Sequence, residues 1–326
     1  MRRTLQNAPT PTPSSLLAIT LLLAAPLLGG CEAASDRDFL SLGTGGTGGV
    51  YYPLGGALAN RLSLADSTRR YTAEVSGGSV ENVNRVLAGQ VDLGFALSVS
   101  IREAVDGGAV GAGRLRVVAP LYPNLVHVMV REGAGIGALA ELAGKRVSVG
   151  SPGSGTEQTA RQLLAVAGLD YDGVDERFLS FSESAAALRD GAIDAAILSV
   201  GFPASAVLEG TTGGGVGLLA LSEDEVAALT GAYPTYQGGY VPPGVYPGVG
   251  APIRTVAMMN WVVARDDLPG DVAEHLLNIL AGSGVSLGEV HEMARQIDLN
   301  ALGRAPAPLH PASEAWRAAR TREAGR

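Results

Sequence analysis

The residues best placed to do chemistry stand between Ser41 and Gly56, which read Ser-Leu-Gly-Thr-Gly-Gly-Thr-Gly-Gly-Val-Tyr-Tyr-Pro-Leu-Gly-Gly. Phe39, Leu40 and Leu42 precede the glycines as an apolar strand, and Leu54, Ala57, Leu58 and Leu62 follow at helical spacing. The pattern is strand, glycine-rich loop, helix start. Glycines let backbone N–H groups approach a ligand closely. A helix start adds unpaired N–H groups and the positive end of the helix dipole. The chemistry on offer is capture of an anionic group, by Thr44, Gly45 and Thr47 in the loop and by Tyr51 and Tyr52 at the helix start. One tyrosine is expected in the core and the other on the ligand, and the sequence does not rank them. Gly43, Gly45 and Gly48 also satisfy the dinucleotide fingerprint G-x-G-x-x-G, with Asp66 standing about where a ribose-binding acid would.

The same grammar recurs. Gly78 and Ser79 open a helix after the strand Tyr71–Val75, and Ser98 and Ser100 follow the strand Val91–Ala96. Ser154, Gly155 and Thr156 lie between the strand Lys145–Gly150 and a helix over Glu157–Ala167. Each set reads equally as a helix cap and as a ligand contact. Glu183 reads first as an ordinary acid of a first helical turn, and second as a partner for a ligand amine. Tyr122 precedes an apolar strand and is a candidate lining residue at a hinge. Arg85, Arg102, Arg131, Arg161 and Arg254 are cations with a possible reach to a cleft, and nothing ranks them. His127, His275, His291 and His310 have no metal-ligand spacing. No G-x-S-x-G is present, and no P-loop lysine follows a glycine run. Neither catalysis, a metal nor a cofactor is called for.

These sites need a scaffold, and the chain can build one. It has 326 residues, 46% hydrophobic and 17% charged, with 45 glycines. That suits two α/β domains with tight turns. The net charge of −8 argues against nucleic acid. Arg2 and Arg3, the apolar run Leu16–Leu28 and then Gly29-Gly30-Cys31 form a signal-peptide pattern. It resembles a bacterial lipoprotein signal, with residues 1–30 removed, Cys31 carrying the lipid and 31–38 as a tether. Arg2 and Arg3 are the only charges before Cys31, so the mature chain would carry −10, and Cys31 is its only cysteine. The expectation is a protein held at the outer side of the cytoplasmic membrane, where a nicotinamide enzyme would lack its cofactor pool.

From Phe39 the order reads βαβαβα, and a second such series follows Lys145. Arg116–Pro120 and Val126–Val130 read as two strands, the second crossing between lobes. Thr255–Ala264 reads as the return crossing, and Tyr233–Val249 as an extended loop over the cleft. Two α/β lobes joined by two hinge strands make a clamshell, with lobe 1 at 39–122 plus 268–326 and lobe 2 at 123–267. Ligands of open α/β sheets bind at the carboxyl ends of the strands, so the helix starts of both lobes should face one cleft.

Gly43–Gly55, Gly78-Ser79-Val80-Glu81-Asn82, Val91–Ala96, Leu142–Val147 running into Gly150–Thr156, Asp190–Ala195 and His310-Pro311 together resemble the TAXI-family solute receptors of TRAP transporters. The resemblance spans residues 39–318. It departs at Ala315-Trp316, where the family more often has paired tyrosines, and in the glycine insert at 213–217. It implies a type-II periplasmic-binding-protein fold and capture of a small anionic solute, such as glutamate or a related dicarboxylate. It also implies hand-over to a membrane permease with fused subunits. The alternatives are a receptor of the same fold serving an ABC importer or a sensor kinase, and a dinucleotide enzyme.

Overall fold

The structure is a computed structural model, and it describes residues 38–282 and 284–324. Cys31 and the signal segment lie outside the described residues. The chain begins with β1 (Asp38–Gly43), α1 (Tyr51–Ala65), β2 (Arg69–Glu74), α2 (Ser79–Leu87), β3 (Leu93–Leu97) and α3 (Ser98–Asp106). A long strand, β4 (Leu115–Arg131), leads away to β5 (Arg146–Ser148), α4 (Gly155–Val166), β6 (Asp175–Arg177), α5 (Phe181–Arg189) and β7 (Ala195–Val200). Then come α6 (Ser205–Thr211), β8 (Val216–Leu219), α7 (Glu223–Ala232) and β9 (Gln237–Val241). The strand β10 (Ile253–Arg265) returns, and α8 (Gly270–Gly282), α9 (Gly284–Val290) and α10 (Pro311–Ala324) close the fold.

The strands run in the order β2-β1-β3-β10-β4-β7-β5-β6, with β8 beside β4 and β9 beside β10. On one side β1, β2 and β3 are parallel, and on the other so are β5, β6 and β7. Between them β4 and β10 run antiparallel to each other and to their flanking strands. This is the expected arrangement of two α/β lobes on two connecting strands. Helices cover the sheet because their apolar spacing allows it. On α1, Leu54, Leu58 and Leu62 recur every fourth residue, and all three are buried in one core with Leu42 and Phe95. A second core gathers Leu163 and Leu164 of α4, Val147, Ile197 and Leu229.

Two expectations are corrected here. Arg116–Pro120 and Val126–Val130 are one 17-residue strand rather than two. Pro120 and Pro123 read as breaks, yet they sit opposite Trp261 and Met259, either side of a register shift in the ladder with β10. A bulge is one of the few places where a strand tolerates a residue without an N–H. The stretch Tyr233–Val249 is not simply a loop: it contains β9, whose residues 237–241 pair with Ile253–Ala257.

Candidate functional site

Four helix starts converge on one cavity of about 310 Å³. From lobe 1 come the glycine loop before α1 and the turn before α2, and from lobe 2 the turns before α4 and α5. The wall contains Gly45, Thr47, Gly48, Tyr51, Gly78 and Ser79 on the first side. It contains Asn124, Ser154, Gly155, Thr156, Ser180, Ser182 and Ser199 on the second, with Tyr122 of the connecting strand β4 at the junction. Local chemistry sets the lobe 2 turns. Ser154 caps α4 by accepting the Glu157 N–H at 3.0 Å. Ser180 caps α5 by accepting the Glu183 N–H at 3.4 Å, while Glu183 accepts the Ser180 N–H at 2.8 Å. This is a reciprocal capping box.

The lobes are closed on each other around this space. The Gly48 carbonyl accepts the Ala206 N–H at 3.2 Å and the Ser205 hydroxyl at 3.1 Å, and the Gly153 carbonyl accepts the Glu81 N–H at 3.0 Å. Two glycines make the approach possible. A Cβ on Gly48 would stand 2.6 Å from Ser182 Oγ, and one on Gly155 would stand 2.6 Å from a Leu97 methyl.

A buried polar chain ties the cavity to both connecting strands. The Tyr51 hydroxyl donates to Asn260 Oδ1 on β10. The Asn260 amide donates to the Tyr122 carbonyl at 2.8 Å and to Asn124 Oδ1 at 2.7 Å. The Asn124 amide donates to the Ser199 carbonyl at 2.9 Å. Burial pushes the phenols of Tyr51 and Tyr122 well above the usual tyrosine range, so both remain neutral donors. The Tyr122 and Ser199 hydroxyls are themselves buried, and neither has a hydrogen-bond partner among the described residues. Ser154 and Thr156 each accept a backbone N–H, Thr156 that of Ser199 at 3.2 Å, which leaves their O–H groups as donors. No Asp, Glu, Lys, Arg or His lines the cavity among the described residues.

Of the residues singled out in the sequence, the structure brings Gly45, Thr47, Tyr51, Gly78, Ser79, Tyr122, Ser154, Gly155 and Thr156 together. Five do not line the cavity. Thr44 is buried and donates to the Glu74 carbonyl at 2.7 Å. Tyr52 is 38% exposed on α1. Ser98 donates to the Met259 carbonyl at 3.1 Å and accepts the Trp261 indole N–H at 2.7 Å. Ser100 donates to Gln158. Glu183 is consumed by its capping box. Ser98 and Ser100 fail for one reason: α3 begins directly at the end of β3, with no turn to present them. The five arginines also stand elsewhere, Arg85 on Glu74, Arg102 on Asp106, Arg131 on Asp194, Arg161 on Glu157 and Arg254 on Glu223. None of the residues 233–249 reaches the cavity.

Sequence reasoning missed Asn124, Ser151, Ser180, Ser182 and Ser199. Ser180 and Glu183 have capping-box spacing, which would have moved the start of α5 back to the cavity. Ser199 stands near the carboxyl end of β7, a position the rule for α/β sheets marks out.

The dinucleotide expectation loses its acid. Asp66 is buried and accepts the Thr68 N–H at 2.9 Å, the Thr68 hydroxyl at 2.7 Å, Arg69 at 2.8 Å and the Tyr71 hydroxyl at 2.9 Å. Burial opposes its charge, but these bonds hold its carboxyl well below the usual range. It fastens the end of α1 to β2.

The fold and the cleft between its lobes define a two-lobe periplasmic-binding-protein fold. Residues 42–317 match the NMT1-like family, and the chain belongs to that family. A solved structure from Bordetella bronchiseptica RB50 is 18% identical over 86% of this chain and 80% of its own, with a TM-score of 0.55. PhnD1 from Prochlorococcus marinus (MIT 9301), solved in complex with methylphosphonate, is 13% identical over 80% of this chain and 91% of its own, with a TM-score of 0.54. A putative L-cystine ABC transporter from Listeria monocytogenes is 14% identical over 80% and 96%, with a TM-score of 0.50. At these identities the likeness is one of fold.

Proposed function

We propose that the protein is an extracytoplasmic receptor that captures a small anionic solute between its lobes and delivers it to a membrane permease. The observation that carries this reading is the cavity itself. It lies between four helix starts from two lobes, and two residues of its wall, Tyr122 and Ser199, carry buried hydroxyls with no hydrogen-bond partner among the described residues. Such groups are costly to bury unless something satisfies them. A ligand rich in acceptors would do so. The reading is of a binding protein rather than an enzyme.

The motifs at Gly43–Gly55, Gly78–Asn82 and Gly150–Thr156 support a TAXI-type receptor working with a TRAP permease. Glutamate or a related dicarboxylate or amino acid is the solute class that resemblance brings. The proposed ligand-contacting set is the nine residues named above as reaching the cavity, with Ser199 and Asn124 added. Lobe 1 (39–122 with 268–326) and lobe 2 (123–267) would move about β4 and β10. The second hinge would fall within β10, which changes partner from β9 to β3 between Ala257 and Asn260. The signal at 1–30, the lipid on Cys31 and the tether at 31–38 belong to the same proposal and place the receptor at the cell envelope. The second reading is a receptor for an ABC importer. It is favoured by the protein of like fold from Listeria monocytogenes, a putative L-cystine ABC transporter.

Calorimetric titration with small carboxylates tests the binding reading, and saturable heat is expected. Reconstituted uptake separates the two permeases: a TRAP system needs an ion gradient, and an ABC importer needs ATP.

A further inference from the structure

The cavity wall is rich in donors and poor in anything that would hold a cation. We infer that the ligand carries a single oxyanion seated on lobe 2, joined to an uncharged body that lies against lobe 1, and that it carries no ammonium group. This rests on the receptor reading of a small anionic solute and departs from the glutamate-like class that the resemblance brings.

Three observations carry it. The first is the lobe 2 wall. Ser154 and Thr156 hold their backbone partners as acceptors and keep their O–H groups to give, and the buried Ser199 hydroxyl has no hydrogen-bond partner among the described residues. The first N–H groups of α4 and α5, both longer than two turns, precede the first bonds inside each helix. Donors of this kind suit an oxyanion, which only accepts.

The second is the absence of a counter-charge for an amine. No acid lines the cavity among the described residues, and the acids at the helix starts are already engaged. Glu157 takes the Gly153 N–H and pairs with Arg161, Glu183 takes the Ser180 N–H, and Glu81 takes the Gly77 N–H. An ammonium enclosed here would lose its hydration without gaining a charge partner.

The third is the lobe 1 wall, which is a poorer anion seat. The Glu81 carboxylate sits on the Gly77 N–H, and the Glu81 N–H at the start of α2 is taken by the Gly153 carbonyl of lobe 2. Those two N–H groups are therefore already occupied and are not offered to a second oxyanion. Val50, Leu97 and the Tyr51 ring give that side an apolar surface for the uncharged body.

The test is a five-carbon series titrated into the full chain by calorimetry: pentanoate, glutarate, norvaline and glutamate. Pentanoate is expected to bind at least about tenfold more tightly than norvaline, and glutarate no more tightly than pentanoate. Norvaline or glutamate binding as well as its amine-free partner would overturn the inference and leave the receptor reading standing. Glutarate binding about tenfold more tightly than pentanoate would overturn the single-oxyanion part. Absence of heat with every member at millimolar concentration would overturn both. Two variants add a check that a merely structural role would not pass. Ser199→Ala should weaken pentanoate about tenfold with the melting temperature unchanged. Tyr122→Phe should weaken it while leaving the ligand-free protein as stable or more so, because a buried hydroxyl without a partner is removed. Unchanged affinity in both variants would contradict the seat.

Discussion

The two walls of the cleft are built from the same element, a strand running into a helix, yet they are made of different residues. Lobe 1 is the wall richer in glycine: Gly45, Gly46, Gly48, Gly49, Gly77 and Gly78 line it, beside the hydroxyl residues Thr47, Tyr51, Ser76 and Ser79. Lobe 2 presents hydroxyls: Ser151, Ser154, Thr156, Ser180, Ser182 and Ser199. On the proposed function this difference would divide the labour of binding. Glycines without side chains allow close approach, as at Gly48 against Ser182, so the first wall sets whether the lobes can shut. Hydroxyls and the helix starts behind them set what is held once they do.

The largest effect should come from spoiling that approach. Gly48→Val places a side chain where Ser182 and Phe181 stand, and should weaken ligand binding about a hundredfold by disfavouring the closed state. Small-angle scattering should show the variant remaining open in ligand, with its melting temperature held. Full affinity in this variant would mean that closure is not coupled to binding. Asn260→Ala should follow. It strips partners from Tyr51 and Asn124 at once and should destabilise the protein by about 2–3 kcal/mol in urea unfolding. Thr47→Ala and Ser154→Ala sharpen the contrast between walls. The first should change affinity less than about threefold, and the second about tenfold with about 1 kcal/mol of stability lost to the missing cap. Equal losses in binding would erase the distinction.

A smaller effect belongs to pH. His127 is buried, and burial holds its pKa down at about 4, below the ordinary 6.5. The unfolded chain therefore takes up a proton first as pH falls below 6.5, and stability that is fully present above that pH is lost towards 4. Linkage puts the loss at up to about 3 kcal/mol. Burial lowers the pKa of His310 too, and acts in the same direction. The urea midpoint should fall between pH 7 and 4.5, and less so in His127→Gln.

Much of this was legible because it is local. Glycines and serines at strand ends announce helix starts wherever they occur, so Gly45, Ser79 and Ser154 could be placed from their neighbours alone. Ser98 obeys the same rule yet stands elsewhere, because α3 follows β3 without a turn and its hydroxyl is taken by the Trp261 indole. Asn124 was invisible for the opposite reason. It sits inside the 17-residue β4, and only the pairing of β4 with β7 and β10 turns it towards the cleft. The two prolines of β4 argued for a break that a bulge in the partner ladder removes. Pairings made across the sheet leave little trace in the residues next door.

The central claim is that the cleft between the lobes closes on a small oxyanion. Its most direct test is a calorimetric titration of the protein and of Gly48→Val with the same small carboxylates, with NAD alongside. Saturable carboxylate binding that collapses in Gly48→Val is the predicted result. Binding of NAD alone, or carboxylate binding indifferent to the substitution, would contradict the account.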